Sequence, residues 1–191
     1  MIVSEFTEEG TSRTVEAMGT TIHYHEGGEG PPAIFLHSYG LGTTAWITWS
    51  KVLPEFAQHF RCIAMDLPNF AKTGPVMYDA PIHTFQAKTA LALMDSLGIE
   101  KAHIIGNSQG GQTAMVFSYM YPERTEKLVW GAGPIGTAGG YVGEYTFTVA
   151  PEASSFINRE VMADPTVANF KRYLRFHLRD EALITDELAE Y

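Results

Sequence analysis

Four short runs do most to constrain the fold: AIFL at 33–36, CIAM at 62–65, AHII at 102–105 and KLVW at 127–130 are each predominantly apolar, with no polar alternation. A strand wetted on one side alternates polar and apolar residues, whereas strands without alternation belong in a parallel sheet covered on both faces. Helical patterns lie between these runs. Ala87, Ala90, Leu91, Met94 and Leu97 recur at three- and four-residue spacing and stop at Gly98, a residue suited to a left-handed C-cap. Ala114, Phe117 and Tyr121 repeat the pattern and end at Pro122. This alternation predicts an α/β fold with a mostly parallel, doubly wound sheet. Ahead of it, SRTVEAM and TTIHYHE alternate around Gly19 and run into the turn-rich GGEGPP, which predicts an antiparallel hairpin at the sheet edge.

Beyond residue 133 the character changes. The stretch GPIGTAGGYVGEY is glycine-rich and unlike a strand, and helical patterns follow it. Asp164 and Pro165 read as an N-cap and first helical residue, with Val167, Phe170, Leu174 and Leu178 on one apolar face. Residues 1–133 are therefore expected to form the sheet-bearing core, and 134–191 a helical cap, joined by a flexible hinge. Thr185 opens a last helix, with Asp186 and Glu187 in its first turn. Tyr191 then falls barely two turns into that helix, so the sequence looks cut within an element and the cap incomplete. The strand at 127–130 is expected to be left as an open edge.

Composition narrows the function classes. A chain of 191 residues suffices for one full hydrophobic core, and 45% apolar with 18% charged residues is ordinary for a soluble globular protein. A formal charge of −9, with no basic run longer than Lys171-Arg172, argues against a nucleic-acid partner. Cys62 has no partner for a disulfide and sits in an apolar run, which suits a reducing cytoplasm. Neither a signal-peptide pattern nor a membrane-length apolar stretch is present, so a soluble, cytoplasmic protein without a membrane role is expected.

The chemistry concentrates at IIGNSQGGQT, residues 104–113. Ser108 stands in a G-x-S-x-G pattern between a predicted strand and a predicted helix, the setting of a nucleophile elbow. Small neighbours are needed there because the turn is strained and two segments pass closely. The hydroxyl would rise above the sheet edge at a helix N-terminus, with the Gln109 peptide N–H facing an oxyanion. The loop FLHSYGLGTTAW follows the first parallel strand, and its N–H groups near Ser38 and Tyr39 are candidates for the second donor, with His37 shaping the turn.

With HSYGLGTTAW, DLPNFAKT, the long stretch from LMDSLGIEK to GAGPIG, and LRDEALITDEL, the chain resembles the α/β-hydrolase superfamily. Within it the chain is most similar to the meta-cleavage product hydrolases, which split a carbon–carbon bond in 2-hydroxy-6-oxo-hexa-2,4-dienoates formed by aromatic ring fission. The resemblance implies Ser108 as nucleophile, oxyanion donors from Gln109 and Tyr39, and Asn107 at the polar end of the dienoate. It further implies that His37, Gly40 and Thr48 line the substrate site, that no cofactor or metal takes part, and that the protein forms a homo-oligomer. Ser38 departs from the pattern by replacing a glycine after the histidine, Gln109 stands for the usual methionine, Asn69 and Ala71 replace turn glycines, and Thr48 replaces an asparagine found in some members.

A serine hydroxyl needs a base, in this fold a histidine oriented by an acid that follows it along the chain. In the family both lie beyond the cap, so the resemblance places neither within these residues and implies impaired activity for this length of chain. His177 with Asp164 has the right chain order but shares a predicted cap helix, where His177 reads as a residue of an amphipathic helix face. His23 and His25 alternate on the hairpin, while His59, His83 and His103 border helices or strands, and no pair has metal-ligand spacing with a carboxylate beside it. The alternatives to a carbon–carbon bond hydrolase are a carboxylesterase on the same scaffold and a non-catalytic protein that keeps the pocket. The aromatic residues Phe147, Phe156, Phe170 and Tyr173 are candidates for an apolar pocket lining.

Overall fold

The computed structural model describes residues 6–40, 42–132, 161, 163–175 and 178–190. The chain divides into two compact units, Met1–Gly136 and Thr137–Tyr191.

In the first unit a short helix α1 (Glu8–Thr11) leads into the hairpin β1 (Ser12–Ala17) and β2 (Thr20–Gly27). Then come β3 (Pro32–Leu36), the one-turn helices α2 (Ala45–Trp49) and α3 (Leu53–Phe56), and β4 (Arg61–Met65). They are followed by α4 (Ile82–Ser96), β5 (Ala102–Asn107), α5 (Gln109–Met120) and β6 (Thr125–Gly131). The strands form one sheet in the order β1-β2-β4-β3-β5-β6. β3 lies parallel to both β4 and β5, β5 is parallel to β6, and the hairpin is antiparallel throughout.

The unalternating strands are explained by two cores, one on each face. Ile34 and Leu36 of β3, with Ile63 and Met65 of β4, face α4 and α5 and join Ala87, Ala90, Leu93, Met94, Ala114 and Phe117. The intervening Ala33, Phe35, Cys62 and Ala64 face the other way, with Ala45 and Leu53 of α2 and α3. Each fully buried Ile, Leu or Phe contributes roughly 1.5–3 kcal/mol relative to exposure. β6 differs, because Leu128 and Val129 are 42% and 56% exposed at the edge of the described sheet. The α4 C-terminus closes as expected: Gly98 adopts φ 65°, its N–H donates to Asp95, and the Ile99 N–H reaches back to Met94.

Two departures from glycine can now be read. Asn69 and Ala71 both adopt left-handed backbone, at φ 66° and 44°. Asn69 compensates with its amide, which accepts from the Val76 N–H at 2.9 Å and donates to the Val76 carbonyl at 3.1 Å. Ala71 is exposed and has no such compensation, so its Cβ strain stands alone. Ala71→Gly is expected to stabilise the protein by about 0.5 kcal/mol, the relieved strain less the greater chain entropy of glycine, read as a higher urea midpoint. Ser38, by contrast, does not adopt a left-handed backbone, so its replacement of glycine carries no such strain.

In the second unit, α6 (Val167–Leu174) and α7 (Asp186–Glu190) are linked by an ion pair between Lys171 Nζ and Asp186 Oδ1 at 2.7 Å. The cap of α6 is Thr166 rather than Asp164. The Thr166 hydroxyl accepts from the Asn169 N–H, while the Asp164 carboxylate is taken up by the Asn169 side-chain amide. Thr185 caps α7 as expected, accepting from the Leu188 N–H at 3.0 Å. The glycine-rich stretch after 133, Phe147, Phe156 and His177 lie outside the described residues. No helix among the described residues is long and apolar enough to cross a membrane.

Candidate active site

β3 pairs with β4 on one side and β5 on the other, so the connections leaving the carboxyl ends of β3 and β5 diverge to opposite faces. Crevices of this kind are where open α/β sheets bind ligands. Leu36 is in register with Gly106, so residues 37–39 and 107–109 leave the sheet side by side. Ser108 and the Ser38–Tyr39 loop, 70 residues apart in sequence, are thereby neighbours in space.

Ser108 sits at φ 54°, ψ −115°, a conformation that suits glycine and costs a serine about 1–3 kcal/mol. The surrounding contacts enforce it. The Ser108 N–H donates to the Gly131 carbonyl at 2.8 Å, its carbonyl accepts from the Gln112 N–H at 3.1 Å, and α5 begins at the next residue. The flanking glycines are steric necessities. A Cβ on Gly106 would strike the Gly110 carbonyl, and one on Gly110 would strike the Leu36 and His37 carbonyls. The start of α5 is thus seated directly on the end of β3. At the first helical position the Gln109 N–H has no intrahelical acceptor, which leaves it available to an anion. The Gln109 side chain is buried, and its Nε2 has no hydrogen-bond partner among the described residues.

His37 is fully buried: its Nδ1–H donates to the Ser38 carbonyl at 2.7 Å, and its Nε2 accepts from the Leu67 N–H at 2.9 Å. Burial holds the ring below the ordinary imidazole value, so it stays neutral and keeps the lone pair that Leu67 requires. With both nitrogens engaged, His37 ties the β3 loop to the segment after β4. Tyr39 is 74% exposed and leans its ring on Phe70. The Gly40 carbonyl accepts from the Thr43 N–H, and the Thr48 hydroxyl donates to Thr44 within α2. Asn107 ends β5 opposite Gly131.

No described histidine hydrogen-bonds to Ser108. His23 and His25 are engaged at the hairpin, His37 as above, and His83 with Thr113 at 3.0 Å. His59 precedes β4 and His103 is the second residue of β5, at the amino ends of the parallel strands and so away from the elbow.

A buried polar network beneath the β3 loop escaped the sequence reading. Asp66 is 1% exposed; its Oδ2 lies 2.7 Å from His23 Nδ1, and its Oδ1 accepts from the Ala45 N–H at 2.8 Å. Burial pushes the Asp66 carboxyl up, but hydrogen bonds from His23 and Ala45 outweigh it and hold it below its ordinary value. His25 packs edge-on to His23 and bonds Thr11 Oγ1 at 2.9 Å. Burial first, and then repulsion from the neighbouring His23 imidazole, lower His25 from 6.5 to about 4. A depressed imidazole favours the fold while it stays neutral, so this contribution is full above pH 6.5 and is lost as pH falls towards about 4. His25→Gln is expected to flatten the dependence of the urea midpoint on pH across that window. The only sequence hint of this network was the alternation of His23 and His25, which puts both on one face of β2.

Residues 31–191 match the alpha/beta hydrolase fold family. The chain is 36% identical to a 2-hydroxy-6-oxononadienedioate/2-hydroxy-6-oxononatrienedioate hydrolase of Comamonas testosteroni, over 98% of this chain and 66% of that protein. It is 34% identical to a 2-hydroxy-6-oxo-6-phenylhexa-2,4-dienoate hydrolase of Burkholderia cepacia, with the same coverage. Among solved structures it superposes on a meta-cleavage product hydrolase (CumD) with a TM-score of 0.76 at 31% identity, over 94% of this chain and 62% of that one. The chain thus spans 66% of the length of these two curated relatives. By its sheet order, its serine turn and this match, the chain belongs to the α/β-hydrolase fold family.

Proposed function

We propose that the protein hydrolyses a carbon–carbon bond in a 2-hydroxy-6-oxo-dienoate from aromatic ring fission, with Ser108 as nucleophile. The observation that carries this reading is the strained Ser108 turn beside the β3 loop, joined to similarity with relatives named for that reaction. After the dienol takes its keto form, the Ser108 hydroxyl adds to the remote ketone and its proton passes to a base. The Gln109 and Tyr39 N–H groups hold the oxyanion. Collapse breaks the adjacent carbon–carbon bond, the departing carbon is protonated, and water hydrolyses the acyl-serine to a carboxylic acid. By family resemblance the base is a histidine oriented by an aspartate. Asn107 is assigned to the dienoate's polar end, and no cofactor is required. Cytoplasmic residence and a homo-oligomeric assembly complete the reading.

Incubating the protein with a 2-hydroxy-6-oxo-6-phenyl dienoate and with a p-nitrophenyl ester separates this reading from its neighbours. Loss of the dienoate chromophore with release of benzoate, at a kcat/KM above that on the ester, supports it. Turnover of the ester alone, abolished by Ser108→Ala, would make the protein a carboxylesterase. Binding of the dienoate without turnover would make it a non-catalytic pocket.

A further inference from the structure

Away from Ser108, at the hairpin edge, three side chains line up in a second hydroxyl–imidazole–carboxylate series. Ser12 Oγ lies 2.8 Å from His23 Nε2, and His23 Nδ1 lies 2.7 Å from Asp66 Oδ2. A carboxylate can only accept, so Asp66 fixes the His23 proton on Nδ1 and leaves the Nε2 lone pair directed at the Ser12 hydroxyl. The base and its orienting acid are 1% exposed, and Asp66 is further anchored by the Ala45 N–H, so the pair cannot swing away. Ser12 itself is half-buried and opens strand β1, whose one partner among the described strands is β2. Arg13 Nη1 is taken up by the backbone, donating to the Ser12 carbonyl at 2.7 Å and the Gly10 carbonyl at 2.9 Å. The Ser12–His23 and His23–Asp66 contacts are the two hydrogen bonds that define an activated nucleophile: nucleophile to base, and base to orienter.

We propose that Ser12, activated by His23 and Asp66, is a second acylation site that accepts small acyl groups from activated esters independently of Ser108. Ser12 Oγ adds to the ester carbonyl as its proton moves to His23 Nε2, and Asp66 holds the imidazolium. The tetrahedral adduct collapses, the ester C–O bond breaks, and the proton is returned to the leaving oxygen. Water, deprotonated by the same His23, then cleaves the acyl-serine and releases the carboxylic acid.

The test uses the full chain carrying Ser108→Ala, which removes the elbow serine and makes the result independent of the dienoate reading. The protein is treated with p-nitrophenyl acetate, quenched in acid, digested and mapped by mass spectrometry. Acetylation of Ser12 is expected about a hundredfold faster than that of Ser96, an exposed serine of the same chain without a histidine partner. The burst of p-nitrophenol should fall by a similar factor when Ser12→Ala is added. Because Ser96 is an internal control, the result stands even if a variant at the buried His23 or Asp66 fails to fold. Ser12 left unmodified, or modified no faster than Ser96, overturns the proposal.

Discussion

Under the proposed reaction, Ser108→Ala in the protein as its gene encodes it is expected to lower kcat on the dienoate by roughly 10^4-fold or more, leaving KM within a few-fold and the circular dichroism spectrum unchanged. The loss is this large because serine and base act as one unit, so what survives is only the assistance of the oxyanion donors and of binding. Ser108→Gly separates chemistry from strain. It should be as inactive as the alanine variant yet about 1 kcal/mol more stable than the parent, because glycine takes φ 54°, ψ −115° without penalty. A serine held in that conformation by its neighbours, at a net cost to the fold, is consistent with a site kept for chemistry.

Asp66→Ala is the substitution expected to harm the fold most, by about 3–5 kcal/mol, out of the roughly 5–15 kcal/mol typical of a domain. It leaves the His23 Nδ1–H and the Ala45 N–H buried without their acceptor, and it unpins the start of α2. Asp66→Asn restores an acceptor for Ala45 but sets an N–H against His23 Nδ1–H, so it should recover only part of the loss. The acid limb of stability follows with the same sign. Because the Asp66 carboxyl is held below its ordinary value, its contribution is complete above about pH 3.9 and disappears as pH falls through the folded value. The His25 contribution fails first, between 6.5 and about 4. A urea series from pH 7 to 3 should therefore show two successive falls in midpoint, the first missing in His25→Gln and the second in Asp66→Ala.

Where the physics was local, the sequence carried it. Runs such as AIFL and CIAM announce strands covered on both faces because every residue meets a core, and the structure divides them between two cores. The elbow was legible because strand, glycines, serine and helix are contiguous. Gly98 was legible because a helix end needs one left-handed residue. The α6 cap was misplaced by two residues because Asp164 and Thr166 are both good acceptors, and the contest was decided by which of them the Asn169 N–H reaches. KLVW is apolar like its neighbours but is expected at an open edge, and β6 does end the described sheet with Leu128 and Val129 exposed. The Asp66–His23–Ser12 series was invisible for a different reason. Its members are separated by 43 and 11 residues and are brought together by sheet pairing, so no spacing pattern in the chain announces them. His37, selected as a substrate residue, proved to have both ring nitrogens committed to the loop that carries Tyr39.

The most direct measurement is to titrate the protein, as its gene encodes it, with a fluorophosphonate, following dienoate turnover and the mass of the peptide bearing Ser108 together. One equivalent on Ser108, with turnover lost in proportion and both slowed by the carboxylate product, is the expected result. Full occupancy of Ser108 with turnover intact, or loss of turnover with Ser108 unmodified, would contradict the account.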